Sequence, residues 1–462
     1  MLIKNSSSFR DNKASVYDTS DRILRKVDKS LNINFKEFLN SNFYKKNFRN
    51  IIKTKILNAK QLDNISIPDE KNSTWLEHEK LEYIIYPYEL TFNQLKDSAI
   101  LFLDLYLNAL EESYDIIDAS AYNIQFKDNN PLFIDLGSFT ELQNDSEILW
   151  HKQFCENYLA PLLIKSKADI NFNDIFKGNL DGIDLKLTSK ILPLSTYFDF
   201  NILTNIHLHS LLNSKISSST HTRKNNLKIK KISKNQKKLI AKGLKKTIKK
   251  LHSKNKSYWS TYSKINSYSE QETIKKEKYV SEFVKSQNIS CLLDVGCNDG
   301  HYSNICFNNN VKKVVGIDND LDALDRAYLR FKIEKLNFYS IYQNFSNPSS
   351  GIGWNNRERL SFTERFKDKF DGVICLALIH HVCIGKNVPI EMFIEYLGNF
   401  SNNFLLEFVS KDDAMVKNLL RNKENLIKYY NLDYLKNTIN KYYRIISENK
   451  ITDNRTLIHF KK

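Results

Sequence analysis

The chain has 462 residues, of which 41% are hydrophobic and 12% aromatic. That length exceeds a single ordinary domain of ~100–200 residues, and the composition excludes a mainly disordered protein. Lys+Arg 69 against Asp+Glu 53 gives a net charge of +16, but seventeen of the cations and no acid fall between Phe200 and Ser269, so the basic character belongs to one segment.

The six cysteines, Cys155, Cys291, Cys297, Cys306, Cys375 and Cys383, contain no Cys-x-x-Cys pair. That spacing speaks against a zinc site or a disulfide framework and for a reducing compartment. The opening Met1-Leu-Ile-Lys-Asn-Ser-Ser-Ser lacks the apolar core of a signal peptide. The most apolar short run, Ala99–Leu103, is far below the ~20 residues of a spanning helix. The expectation is a cytoplasmic protein.

In chain order, residues 1–165 show short strand-like runs at Ser15–Tyr17 and Arg22–Val27, then helical periodicity, then an extended run at Tyr83–Tyr86. A long helix is expected from the spacing of Leu95, Ile100, Leu103, Leu107 and Leu110. A hairpin follows, with arms Asn123–Phe126 and Leu132–Leu136. Residues 166–257 read as a helical, Lys-rich connector in which Ile240, Leu244, Ile248 and Leu251 share one face. From residue 258 to 462 the pattern alternates. Cys291–Val295, Val314–Asp318, Phe338–Gln343, Phe370–Leu376 and Phe404–Val409 are β-rich runs at helix-length spacing, which implies an α/β domain with a mostly parallel sheet and helices on both faces. Tyr442–Ile446 and Thr456–Phe460 are expected to add an antiparallel pair at its edge.

The strongest chemical signal is Leu292-Leu-Asp-Val-Gly-Cys-Asn-Asp-Gly300, which leaves a strand and opens a helix. Gly296 and Gly300 allow the backbone to approach a ligand closely. Eighteen residues after Gly300, Asp318 ends the next strand, where an acid can accept both hydroxyls of a ribose. The combination of loop and acid in this order is far more specific than a glycine loop alone.

These residues resemble the class I S-adenosylmethionine (SAM)-dependent methyltransferases over about residues 258–462. The loop matches the family's D-x-G-x-G-x-G except at Asn298, where the middle glycine is expected. The resemblance implies a Rossmann-like fold, with Asp294 near the methionine amino group of SAM and the backbone of Gly296, Cys297, Asn298 and Gly300 around the cofactor. By the same resemblance Asp318 holds the ribose, and Asn344 and Leu376 lie near the adenine and the transferred methyl. His380 and His381 follow the fourth strand, and an imidazole there can take a hydroxyl proton, its ordinary pKa being ~6.5. The alternative is a histidine packed at the strand end. Glu407, closing the fifth strand, is either substrate-binding or the cap of a neighbouring loop. The Asn/Asp-Pro-Pro-Tyr signature of many amine methylators is absent, which leans towards an oxygen or carbon acceptor. Asn347-Pro-Ser-Ser-Gly-Ile-Gly-Trp354, Glu358-Arg359, Asn387-Val-Pro389 and Glu407-Phe-Val-Ser-Lys-Asp-Asp413 are similar to the bacterial group that includes the nodulation protein NoeA.

In the N-terminal half, Asp118-Ala-Ser-Ala-Tyr-Asn123, the hairpin and Ile134-Asp135-Leu-Gly137 resemble the catalytic loop and metal-binding segment of protein and aminoglycoside kinases. That resemblance implies an α+β kinase-like domain with Asp118 as the catalytic residue, Asn123 and Asp135 as metal ligands for Mg-ATP, and Tyr83–Leu90 as the base-binding hinge. No glycine-rich loop is visible near residues 5–20, and Ile116-Ile117 stands where His-Arg is expected. Arg25 or Lys26 would replace the phosphate-binding lysine. A structural hairpin with a capping Asp is the competing reading.

Residues 223–256 carry fifteen Lys/Arg and no acid. A solvated helix, a surface for an anionic membrane or another polyanion, and a nucleic-acid site compete, and the missing aromatics make nucleic acid the weakest. The expected function is SAM-dependent O- or C-methylation of a small-molecule or saccharide acceptor. The alternatives are a bifunctional kinase–methyltransferase acting on a cell-surface saccharide, an N-terminal half that only binds, and, on charge alone, an RNA methyltransferase.

Overall fold

The structure is a computed structural model and describes residues 3–5, 7–11, 13–19, 21–28, 33–58, 61, 73–143, 146–211, 231–253, 269–421 and 429–462. The chain divides into two compact units, Met1–Lys254 with Gly353–Arg359, and Asn255–Ile352 with Leu360–Lys462. Unit 1 therefore runs well past residue 165, and the Lys-rich stretch does not stand apart as a connector. Part of that stretch, 223–230 and 254–256, lies outside the described residues.

Unit 1 opens with a five-stranded antiparallel sheet of β1 (Ile3–Lys4), β2 (Ala14–Asp18), β3 (Ile23–Asp28), β4 (Thr54–Ile56) and β5 (Ser73–His78), in the order β1-β2-β3-β5-β4. Helices Phe35–Asn40 and Asn42–Asn47 lie between β3 and β4 in sequence. The run Tyr83–Tyr86 forms no strand. Instead, both backbone groups of Ile85 are taken by the Gln125 amide, whose Oε1 accepts from the Ile85 N–H at 2.9 Å while Nε2 donates to the Ile85 carbonyl at 3.1 Å.

The long helix is Phe92–Glu111, started by a capping box in which the Thr91 hydroxyl and the Gln94 side chain satisfy each other's backbone N–H groups. Leu95, Ala99, Phe102, Leu105, Tyr106 and Ala109 are fully buried along it. The 3.6-residue period was the right signal, although Ile100 and Leu107 are only half-buried. β6 (Tyr114–Ile116) pairs with β9 (Phe139–Glu141), and between them lies the hairpin of β7 (Ile124–Lys127) and β8 (Asn130–Phe133). Its turn is Asp128-Asn129, both left-handed with φ 49° and 62°, the backbone that matches the twist of a two-residue hairpin.

Helix Lys234–Lys250 packs on Phe92–Glu111 through Ala241, Leu244 and Ile248. Its lysines meet acids of unit 1. Lys237, fully buried, donates to Asp115 at 2.5 Å and to the Ser146 hydroxyl at 2.7 Å. Lys238 reaches Glu111 at 2.7 Å, and Lys245 pairs with Asp104. The segment Gly353–Arg359 belongs to this unit too. There Arg10 binds Glu358 through two hydrogen bonds of 2.6 and 2.8 Å, and the Arg359 guanidinium lies 4.3 Å above the Tyr122 ring.

Unit 2 is a seven-stranded sheet in the order β12-β11-β10-β13-β14-β16-β15. β10 (Cys291–Val295), β11 (Lys313–Asp318), β12 (Phe338–Tyr342), β13 (Gly372–Cys375) and β14 (Asn403–Val409) are parallel. β15 (Arg444–Thr452) and β16 (Arg455–Lys461) complete one edge, β16 running antiparallel to both β14 and β15. The parallel strands read as near-continuous apolar runs because both faces are covered, with Leu292, Leu293, Val314, Val315, Phe338 and Ile374 all excluded from solvent. Gly316 is required by packing. A Cβ there would come within 2.3 Å of the Phe338 ring and 2.9 Å of the Cys297 sulfur. The strand order reverses between β11 and β13 about β10, and at such a switch the carboxyl ends of the strands open a crevice for a ligand.

Candidate cofactor and acceptor site

The loop after β10 is built from left-handed residues. Gly296, Asn298 and Gly300 have φ of 76°, 51° and 77°. Asn is among the few residues with a Cβ that tolerate this region, which explains how Asn298 stands where the methyltransferase pattern has glycine. At Gly300 a Cβ would also strike the Phe331 ring at 2.6 Å. Gly296 and Cys297 both donate their N–H to the Ile317 carbonyl, at 2.9 and 3.1 Å, which ties the loop to β11. Gly300 then caps helix His301–Asn308.

Two carboxylates flank this loop. Asp294 is 2% exposed and accepts from the Ser303 hydroxyl at 2.6 Å. Burial pushes its pKa up to about 7, although the Ser303 hydrogen bond opposes the rise. Asp318 accepts from the Asn298 N–H at 2.8 Å and the Asp320 N–H at 2.7 Å. Burial raises it to about 6 against those backbone donors. Each carboxylate is therefore short of compensating donors, the condition in which a ligand offering an ammonium or hydroxyls is welcome. The left-handed loop and these acids fit the cofactor that the sequence resemblance implies. Asn344 follows β12 and accepts from the Ser346 N–H and hydroxyl at 3.0 and 2.7 Å, and Leu376 follows β13.

Helix Ile379–Cys383 carries the histidine pair, whose rings lie 4.1 Å apart. His380 is 2% exposed and its Nδ1 has no hydrogen-bond partner. Burial, then the neighbouring His381 and Arg455, lower its pKa to about 2. His381 is half-buried, and burial and Arg455 hold it below the ordinary histidine range.

Glu407 does not face an acceptor. It is wholly buried, with Oε2 on the Lys276 ammonium at 2.7 Å and Oε1 on Arg455 at 3.5 Å, so both oxygens are committed inside the unit. Arg455 also holds Asp413 at 3.0 Å, and Lys276 lies 4.5 Å from the Tyr302 ring centre. Burial pulls the Lys276 pKa down while Glu407 opposes it. The sequence reading missed Lys276 and Arg455. The signal for the first was present, because Lys276, Val280, Phe283 and Val284 are the four buried residues of helix Glu270–Ser286, at helical spacing.

In unit 1 the fold does gather Asp118, Asn123 and Asp135. Burial, then the charge of Asp135, raises the Asp118 pKa, while the Ser120 N–H, which donates to it at 2.8 Å, opposes the rise. Of the two proposed cations, it is Arg25 of β3 that reaches Asp135. Asp135 also accepts from the Ser138 hydroxyl and, at 3.1 Å, the Gly137 N–H. Burial works against its charge, but Arg25 and these donors hold its carboxyl below the usual range. No group of three or more potential metal ligands occurs among the described residues. A divalent cation at Asp135 would have to displace Arg25, so the donor set as folded does not fit the Mg-ATP expected at Asn123 and Asp135.

The strand order, the left-handed loop and the acid ending β11 together define a Rossmann-like methyltransferase fold. No family model matches the chain. The chain belongs to the family of the nodulation protein NoeA: it is 30% identical over 465 residues to NoeA of Rhizobium meliloti (strain 1021), covering 98% of this chain and 95% of that relative. Among solved structures, WbdD is 14% identical, with a TM-score of 0.30, over 41% of this chain and 39% of its own. The N-methyltransferase NodS from Bradyrhizobium japonicum WM9 is 10% identical, with a TM-score of 0.30, over 42% of this chain and 97% of its own. Among the described residues no helix is long and apolar enough to cross a membrane.

Proposed function

We propose that the protein is a SAM-dependent methyltransferase acting on a hydroxyl or carbon acceptor. The observation that carries this reading is the closure of the left-handed Gly296–Gly300 loop onto Asp318, with the buried carboxylate of Asp294 two residues before Gly296. Asp294 would meet the ammonium of the methionine moiety and Asp318 the ribose hydroxyls. When bound, SAM supplies an electrophilic methyl group. The chain's part is to exclude water, orient the acceptor and hold its proton. His381 is the better base of the histidine pair, because His380, with a pKa of about 2, is too weak a base to take a proton near neutrality. His380 is suited instead to a hydrogen bond at its unpartnered Nδ1. Calorimetry with S-adenosylhomocysteine tests the reading. Micromolar binding that Asp318→Ala weakens supports it, and a folded wild-type protein that binds neither SAM nor its product overturns it.

A second reading concerns unit 1. The sheet order β1-β2-β3-β5-β4 with helices between β3 and β4 supports a kinase-like fold, with Arg25 in the place of the lysine. Gln125 favours a binding module over an active kinase, because it makes with Ile85 the pair of hydrogen bonds that a nucleotide base would need from the hinge. A thermal shift with Mg-ATP separates the two.

A further inference from the structure

We propose that the cavity of about 260 Å³ beside the histidine helix is the acceptor pocket, and that it takes a neutral, hydroxylated ring such as a single sugar residue. The inference rests on the methyltransferase reading and names the substrate class of that site.

The position comes first. Cys383, three residues after His380 on the same helix, lines the cavity. The wall continues through the loop Asn387-Val388-Pro389, a phrase the cofactor site leaves unused, into the first turn of helix Ile390–Leu397. Tyr430 forms another part, and its hydroxyl donates to the carbonyl of Val409, the last residue of β14, at 2.9 Å. The cavity thus sits beyond the carboxyl ends of β13 and β14, on the edge of the sheet where the loop after β10 and Asp318 of β11 also lie.

The chemistry of the wall selects the ligand. Its lining contains one carboxylate, Glu391, and no Lys, Arg or His, which turns away an anionic acceptor. The Tyr434 hydroxyl donates to Oε1 of Glu391, leaving Oε2 to accept a hydrogen bond from a ligand hydroxyl. The Tyr429 and Tyr434 rings meet edge to face at 5.9 Å and 78°, and Tyr429 is 52% exposed, so an aromatic surface is open to the apolar face of a sugar ring. An amine would also find aromatic rings and a carboxylate. However, Glu391 would keep that amine protonated, and an ammonium has no lone pair to receive a methyl group. The volume lies just under the ~300–1,000 Å³ of sites for drug-sized ligands, which suits one ring rather than a chain of them.

The test is saturation-transfer NMR on the full chain with methyl pyranosides of glucose, galactose, mannose and N-acetylglucosamine, and with glucose 6-phosphate and phenethylamine beside them. The expected result is transfer to at least one neutral glycoside. Glu391→Gln should weaken it by about tenfold, a charge-assisted hydrogen bond being worth at least that, and Tyr429→Ala should weaken it by removing the aromatic face, with S-adenosylhomocysteine affinity unchanged by calorimetry in both. The exposure of Tyr429 keeps folding out of question for that variant. Binding of the phosphate or the amine alone, no glycoside binding, or glycoside binding indifferent to both variants would overturn the proposal. Glycoside binding at this pocket in a protein that does not bind S-adenosylhomocysteine would overturn the methyltransferase reading and leave the pocket standing.

Discussion

The backbone N–H of Asn298 donates to the Asp318 carboxylate at 2.8 Å, so the loop that follows β10 is fastened to the acid that ends β11 before any ligand arrives. One side chain thereby shapes the loop and presents a carboxylate to the crevice.

Replacing Asp318 by Ala should therefore do two things. It removes an acceptor for two ribose hydroxyls, each charge-assisted bond worth ~1.5–3 kcal/mol, and it frees the loop. Calorimetry should show S-adenosylhomocysteine affinity at least ~10-fold weaker. Asn298→Gly should be nearly silent, whereas Asn298→Val should cost ~1–2 kcal/mol, because a β-branched residue resists the left-handed region.

Cofactor binding should be pH-dependent and release protons. In the free protein Asp294 titrates at about 7 and Asp318 at about 6, whereas an ammonium and two hydroxyls favour the ionised acids. Affinity should therefore rise as pH increases through that window and level off above it. The same raised acids contribute stability that is full below their unfolded values of ~4 and is lost as pH rises through 6 to 7. Calorimetry in buffers of different ionisation enthalpy reads the released proton. Affinity that is flat between pH 5.5 and 8 would contradict the assignment.

The pair Lys276–Glu407 should behave as a buried ion pair. Lys276→Met leaves Glu407 without its nearer cation and should cost ~3–5 kcal/mol, read as a fall in the unfolding transition that S-adenosylhomocysteine shifts. Adding Glu407→Gln should recover part of that loss, because no uncompensated charge then stays inside. Equal losses in the single and double variants would show that packing, not charge, holds the site.

Unit 1 should give no thermal shift with millimolar ATP and Mg²⁺ in the wild-type chain, because Arg25 holds Asp135 and Gln125 holds Ile85. Gln125→Ala should open the Ile85 backbone and produce an ATP-dependent shift. A clear Mg²⁺-dependent shift in the wild type would restore the kinase reading instead.

Much of unit 2 was legible in the sequence because its signals are local. Alternating β-rich runs and helical periods predicted the five parallel strands and β16 to within a few residues, though β15 runs on to Thr452, six residues past its expected end, and the glycine spacing with Asp318 located the loop. Glu407 was misjudged for a physical reason. An acid that ends a strand looks the same in sequence whether it meets solvent or a buried cation, and Lys276 and Arg455 approach it from 131 and 48 residues away. The Lys-rich helix and its apolar face were legible, but charge counts along a chain do not reveal that Asp115, Glu111 and Asp104 stand opposite Lys237, Lys238 and Lys245.

By itself, then, the sequence determined what depends on neighbours in the chain: a parallel α/β unit, a turn that needs left-handed residues, an acid one strand on, and a hairpin between Asn123 and Asp135. Tertiary structure alone decided which charged groups are spent inside and which remain for a ligand. Arg25, rather than Lys26, faces Asp135 because successive residues of a strand point to opposite sides of the sheet. Cys383, Glu391 and Tyr429 share one cavity only through tertiary packing, since Tyr430 beside Tyr429 is tied by its hydroxyl to Val409 at the end of β14. Such groupings depend on contacts between residues distant in sequence, and no local pattern encodes them.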